Sequence, residues 1–151
     1  VRAFKPFKNA FVLLNDSTVS QYSSSGSSSD IVSFDYSSPQ IVCAGRNLLV
    51  YDRGENKFRI IRGSRSDPEI ELPSKIITCD ISKSGYYAFS TVGIESASVL
   101  SVYSDSGEKV FEFNSADNYI SCISLSKNSR RVAAVSIGAK KRKPYQQDKC
   151  F

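Results

Sequence analysis

Apolar and polar positions alternate along this chain in short runs. Twelve runs read as strands: 10–14 "AFVLL", 18–22 "TVSQY", 31–35 "IVSFD", 40–44 "QIVCA", 47–51 "NLLVY", 57–61 "KFRII", 75–82 "KIITCDIS", 86–91 "YYAFST", 98–103 "SVLSVY", 108–113 "EKVFEF", 118–125 "NYISCISL" and 130–136 "RRVAAVS". Each is four to eight residues long and rich in Val, Ile, Phe and Tyr, which suit a pleated surface. Between them stand groups such as "NDS", "SSPQ", "AGR", "RGEN", "SKSG", "DSGE" and "SKNS". Their Asn, Asp, Gly and Ser residues make side-chain turns or accept positive φ. No window of about 11 residues carries a helical stripe, so the pattern predicts an all-β fold.

The runs repeat. Tyr22-Ser-Ser-Ser-Gly26, Tyr51-Asp-Arg-Gly54 and Tyr103-Ser-Asp-Ser-Gly107 each follow a strand ending in Tyr and precede a strand carrying Phe. Tyr22 and Tyr103 are 81 residues apart, two units of about 40, with the middle copy off-centre. That offset predicts one unit short of a strand beside one with a longer loop. A second register aligns Ser82-Lys-Ser-Gly85 with Ser126-Lys-Asn-Ser129, 44 residues later. Four strands per unit of about 40–45 residues is the spacing of a β-propeller blade. On this reading "YSSSGSSSD" at 22–30 is a hairpin inside a blade, although a Gly/Ser run in isolation reads as a flexible tether. The strands group into blades at roughly 4–35, 40–62 and 75–113, with the start of another at 118–138. The expected fold is a partial β-propeller of about three blades, each an antiparallel four-stranded sheet, over residues 1–139.

"NAFVLLNDSTVSQYSSSG…NLLVYDRGENKFRII" resembles the N-terminal part of an uncharacterised family of bacterial propeller-like proteins, known mainly from gut Firmicutes. The resemblance covers most of residues 4–138. Its best markers are the turns at Tyr51-Asp-Arg-Gly54 and Ser82-Lys-Ser-Gly85. It implies one N-terminal membrane anchor, not contained in this chain, and an extracytoplasmic domain similar to WD40 and PQQ-type propellers. The family has no assigned activity, so the resemblance supplies no catalytic residues. The chain has no Trp, so the Trp-Asp blade ends of WD40 proteins are missing, and so are the rings on which PQQ would stack; no cofactor is expected.

The 151 residues suffice for one domain with a core, and 40% hydrophobic content is ordinary for a globular chain. No stretch of about 18 apolar residues is present to span a membrane as a helix. The chain opens on "VRAFKPFKNAF", without Met or an apolar signal core, which predicts a removed leader or a piece of something longer. The net charge of +5 concentrates in 140–151, "KKRKPYQQDKCF": Lys140, Lys141, Arg142, Lys143 and Lys149 oppose Asp148, leaving +1 on the other 139 residues. A short solvated basic run is the expectation there, and no nucleic-acid partner. The β pattern stops at this segment, so 140–151 reads as a non-propeller tail. One permitted codon set for it, read one base later, encodes an Asn-Gly turn and alternating apolar residues; a frameshift in a longer propeller is the origin this suggests.

Candidate chemistry is sparse. With no His, neither a Ser-His-Asp nor a Cys-His pair can form, and no nucleotide-binding motif appears. Cys43, Cys79 and Cys122 lie in strand-like text and read as small buried core residues, although export would allow two of them to pair; Cys150 lies in the tail. Without C-x-x-C spacing, no metal site is assigned. Asp67, Glu69 and Glu71 around Pro68 read as an exposed edge rather than a glycosidase pair. The Asp residues in 15–17 and 105–107 read as ordinary turns, since the remaining calcium ligands are absent. Arg59, Arg62 and Arg65 form a candidate basic spot near Asp67. Tyr86 and Tyr87 must face opposite sides of a strand, and one of them is a candidate for an exposed binding face.

No catalytic, cofactor or metal residue is assigned. The expected function is a non-enzymatic extracytoplasmic scaffold that binds protein, peptide or glycan on a loop-lined face. The alternative is a part of a larger propeller enzyme whose catalytic residues lie in other blades. Three blades leave open sheet edges, and open edges pair or aggregate; self-association as a two-fold homodimer is therefore expected.

Overall fold

The computed structural model describes residues 2–138 and the backbone of 144–150. The described residues form sixteen strands in four antiparallel sheets, with no helix. The first sheet is β1 (Ala3–Phe7), β2 (Ala10–Leu14), β3 (Thr18–Tyr22) and β4 (Ser28–Ser33), in that order. The second is β5 (Pro39–Ala44), β6 (Asn47–Asp52), β7 (Lys57–Arg62) and two short edge pieces, β8 (Arg65–Ser66) and β9 (Ile70–Glu71), both paired with β7. The third is β10 (Ile76–Ile81), β11 (Tyr87–Val92), β12 (Ser98–Tyr103) and β13 (Lys109–Ser115). The fourth is β14 (Asn118–Leu125), β15 (Arg131–Gly138) and β16 (Pro144–Cys150).

The all-β blade pattern is present, and each meander follows sequence order because two-sided alternation and short turns let successive strands pair directly. The first strands β1, β5, β10 and β14 neighbour one another in series, so the sheets fan out from a common inner side. Apolar clusters fill the three junctions. Phe7, Val12, Leu14 and Val19 meet Ile41, Leu48, Val50 and Ile61 between the first and second sheets. Leu49, Phe58 and Ile60 meet Ile76, Cys79, Tyr87 and Phe89 between the second and third. Ala88, Leu100 and Val102 meet Ile120, Val132 and Ala134 between the third and fourth. A sheet buried on both faces needs apolar residues throughout, and β6, "NLLVYD", is buried at all six positions.

The Ser-rich stretch after Tyr22 is a tight hairpin turn. Ser23 N–H donates to Ser27 O at 2.9 Å, and Gly26 N–H donates to Ser23 O at 3.0 Å. Gly26 has φ 85°, a conformation that costs a side-chain-bearing residue about 1 kcal/mol or more. The same turn recurs in three other places. Gly85 and Gly107 donate to Ser82 O and Ser104 O, each at 3.0 Å, and Ser129 donates to Ser126 O at 2.9 Å.

Three sequence expectations need correction. The turn at 51–54 is not equivalent to those after Tyr22 and Tyr103. Those two residues end the third strands β3 and β12, whereas Tyr51 lies in the second strand β6. The equivalent residue in the second sheet is Arg62, which ends β7, 40 residues after Tyr22 and 41 before Tyr103. No strand is lost, and the period is regular. Next, the backbone of Pro144–Cys150 continues the fourth sheet, pairing with β15 from Arg131↔Cys150 to Ile137↔Pro144, where a non-propeller tail was expected. A free sheet edge offers unpaired N–H and C=O groups, and pairing to it goes through the main chain whatever the side chains. The basic run at 140–143, on which the frameshift reading turns, lies outside the described residues. Finally, the three strand cysteines are free and differ in burial: Cys79 is buried, Cys43 half-buried and Cys122 exposed. Cys122 was expected in the core, but it sits on a face of the fourth sheet that no sheet of the described residues covers. Burial pushes the Cys43 thiol up to about 12 and the Cys79 thiol well above its usual range, so both are held as neutral thiols.

Candidate binding face

The turns between first and second strands, and between third and fourth, project on one side of the sheets. Three of them converge where the second sheet meets the third. They are the β5–β6 turn (Gly45, Arg46), the β7–β8 turn (Arg62, Gly63, Ser64) and the β10–β11 turn (Lys83, Gly85). Gly45, Arg46, Asn47, Arg62, Gly63, Ser64 and Lys83 line an open hollow of about 610 Å³ there.

Its basic side chains interlock with its glycines. A Cβ on Gly45 would lie 3.3 Å from Lys83 Cγ, one on Gly63 3.4 Å from Arg46 Nη2, and one on Gly85 2.7 Å from Arg62 Nη1. Each turn thus supplies one glycine and one cation, and each cation lies against the glycine of another turn. Glycine permits this approach because the space of its side chain is taken by a neighbour. Arg62 is fixed further: Nη1 donates to Gly85 O at 3.1 Å, and Nε pairs with Asp67 Oδ2 at 3.1 Å. Arg65 pairs with the other oxygen of Asp67, also at 3.1 Å. The buried Asn47 donates its amide to Ser82 O at 3.0 Å and Lys83 O at 3.1 Å, which ties the third sheet's turn to the second sheet. Arg46 and Lys83 are exposed and have no carboxylate partner among the described residues.

Part of this site was visible in the sequence. Arg62 and Arg65 do meet at Asp67, as the basic spot required. Arg59 does not join them: it acts on Tyr36, and its buried Nε has no partner among the described atoms. The reason is strand alternation, which sends Arg59 and Arg62 of β7 to opposite faces. Arg46 and Lys83 were missed. Their signal is a turn glycine within two positions of a basic residue, in "AGR", "RGS" and "SKSG".

Apart from Asp105, the other candidates lie away from the hollow. Glu69 accepts from Tyr36 Oη at 3.0 Å, raising that phenol's pKa after burial has already done so, and Glu71 accepts from Asn56 Nδ2 at 3.1 Å. Asp67, Glu69 and Glu71 are therefore held by separate partners along an exposed edge. Asp16 pairs with Arg2 at 2.6 Å, and Asp105 stands beside Gly85. Tyr87 is buried and stacks on Tyr103 at 5.1 Å, while Tyr86 packs half-buried against the third cluster; neither is an exposed binding platform. Asp80 is the inner carboxylate of the third sheet. Its Oδ2 accepts Leu125 N–H at 2.8 Å across to the fourth sheet, and burial raises its pKa against the pull of that bond.

The two end sheets turn apolar surface outward. On the first, Phe4 (56% exposed) stacks on Phe11 (48%) with ring centroids 4.8 Å apart, beside Tyr22. On the fourth, the cross-strand pair Tyr119 (50%) and Ile137 (46%) does the same. Elsewhere in the fold such faces lie inside a junction.

Successive four-stranded meanders, fanned from their first strands and packed face to face, define a β-propeller. Solved structures agree. The chain is similar to Kuenenia stuttgartiensis hydrazine synthase (TM-score 0.62, 12% identity, 97% of this chain and 47% of that one). It is similar to the Pan2 WD40 domain of Neurospora crassa (TM-score 0.59, 13% identity, 100% and 52%). A third similar structure is BBS1N in complex with ARL6DN (TM-score 0.68, 12% identity, 99% and 51%). The chain thus spans about half the length of each. No curated protein sequence matches it. Residues 2–146 match the family described as "Family of unknown function (DUF5711)", and the chain belongs to that family.

Proposed function

We propose that this protein is a non-enzymatic propeller scaffold that binds a partner on its turn-lined face and closes its open ends against a second copy. The uncovered apolar faces of the two end sheets carry this reading. Phe4 and Phe11 at one end and Tyr119 and Ile137 at the other are the residue types that fill the internal junctions, and burying the exposed half of each stabilises association by about 1 kcal/mol. Two copies, each set with its first sheet against the other's fourth, bring eight sheets together, within the range of about four to eight of closed propellers. The extracytoplasmic placement rests on the sequence resemblance. The separate pairing of the scattered carboxylates supports a binding role over catalysis.

Light scattering tests the assembly. A mass of two chains is expected at micromolar concentration, and of one chain for the Phe4→Asp, Phe11→Asp double variant. A wild-type mass of one chain at high concentration would overturn it.

A further inference from the structure

The glycine-cradled hollow between the second and third sheets has a charge pattern that the fold does not use up. Arg46, Arg62 and Lys83 line it, and Asp67 pairs with Arg62 and with the neighbouring Arg65. That carboxylate is shared by Arg62 and Arg65, so Arg46 and Lys83 have no carboxylate partner among the described residues. Each also lies close to a glycine of another turn. The stem of Lys83 lies along Gly45, and the guanidinium of Arg46 lies along Gly63. A long cationic side chain that lies along the main chain has less freedom to lose when a ligand binds. A guanidinium fork and an ammonium both donate to oxyanions, with charge-assisted bonds roughly twice as strong as neutral ones.

The lining also selects among anionic partners. Glycine, serine, asparagine and basic residues form the walls, and no aromatic ring lines them. A sugar has no stacking platform here. An extended peptide does find suitable walls, because three turns present main-chain groups and small side chains. Asp105, beside Gly85, bounds the basic zone on the third sheet.

We propose that this hollow binds an acidic peptide segment, its carboxylates bridging Arg46 and Lys83 over the Arg62 floor. This deepens the scaffold reading and rests on its claim that the turn-lined face is the binding face.

The test uses the full chain and fluorescein-labelled hexaglutamate, with hexaglutamine as the uncharged twin and a sulfated glycan as the competing polyanion. Fluorescence anisotropy is expected to show hexaglutamate binding that hexaglutamine lacks. The binding should weaken as salt rises from ~0.05 to ~0.5 M, because exposed charges are screened. The Arg46→Gln, Lys83→Gln variant should lose affinity about tenfold or more, as two charge-assisted contacts go. Lys127→Ala, on the β14–β15 turn outside the hollow, should bind like wild type. Circular dichroism of the double variant verifies that it is folded. Equal binding of the two peptides, no binding of hexaglutamate, or an unaltered affinity in the double variant would overturn the proposal. Binding of the glycan alone, abolished by the double variant, would also overturn it while leaving the scaffold reading in place.

Discussion

Truncating Phe89 to Ala is expected to lower folding stability by about 3–5 kcal/mol, the range for removing a buried ring from a packed core. Phe89 is 0% exposed and lies at the centre of β11. Its ring is 4.7 Å from Phe58 of the second sheet and 6.4 Å from Tyr103 of its own. It therefore belongs to a junction rather than to one sheet, and its loss leaves a cavity that Cys79 opposite cannot fill. A domain of this size is stable by only about 5–15 kcal/mol, so the variant should unfold at much lower urea. Phe89→Leu, which keeps most of the volume, should lose about 1–2 kcal/mol. Urea titration followed by circular dichroism measures both. A loss under about 1 kcal/mol for Phe89→Ala would mean that the second and third sheets do not pack through this ring.

Asp52→Ala is expected to cost about 2–3 kcal/mol, through main-chain groups left without an acceptor rather than through lost packing. Asp52 is 4% exposed, and its carboxylate accepts Ser38 N–H at 2.8 Å and Ser37 N–H at 3.2 Å. Those amides belong to the segment that carries the chain from the first sheet into the second. Nearby, Arg53 N–H donates back to Ser38 O at 2.9 Å. Removing the carboxylate frees two donors at once where water reaches them only partly. Asp52→Asn keeps one acceptor oxygen and turns an NH2 toward the other donor, so its loss should be intermediate. Urea unfolding of the three proteins would contradict this if Asp52→Ala matched wild type within about 0.5 kcal/mol.

Both residues show what the sequence could and could not convey. Phe89 sits in an aromatic-rich run of strand length, "YYAFST", and runs of such length gave the central strands to within a residue or two. The peripheral strands were harder. β1, "AFKPF", contains Pro and Lys and reads as polar text, yet it pairs from Ala3↔Leu14 to Phe7↔Ala10 because β2 offers it an edge. β8 and β9 are two residues each, too short to show a period. Asp52 was singled out within the 51–54 turn, but as a copy of the turns after Tyr22 and Tyr103. A shared Tyr outweighed strand order, while the true counterpart, Arg62-Gly63-Ser64, has no Tyr. The basic hollow was the least legible part. Arg46, Arg62 and Lys83 come from two sheets, and only the stacking of one blade on the next brings their turns together. Cys122 failed for the opposite reason, since apolar strand text implies burial only when a neighbouring sheet covers that face.

Whether four blades are stacked from the first strand onward is tested most directly by amide hydrogen exchange across the whole chain. Slow exchange is expected in β2, β3, β6, β7, β11, β12 and β15, the strands paired on both sides, with protection that continues through residues 18–33, including the amides of Ser23 and Gly26 that close the Ser-rich turn. Exchange at unstructured-chain rates across residues 18–33, with protection starting only at β5, would contradict it. The first sheet would then be absent, and "YSSSGSSSD" would be the tether that it resembles in isolation.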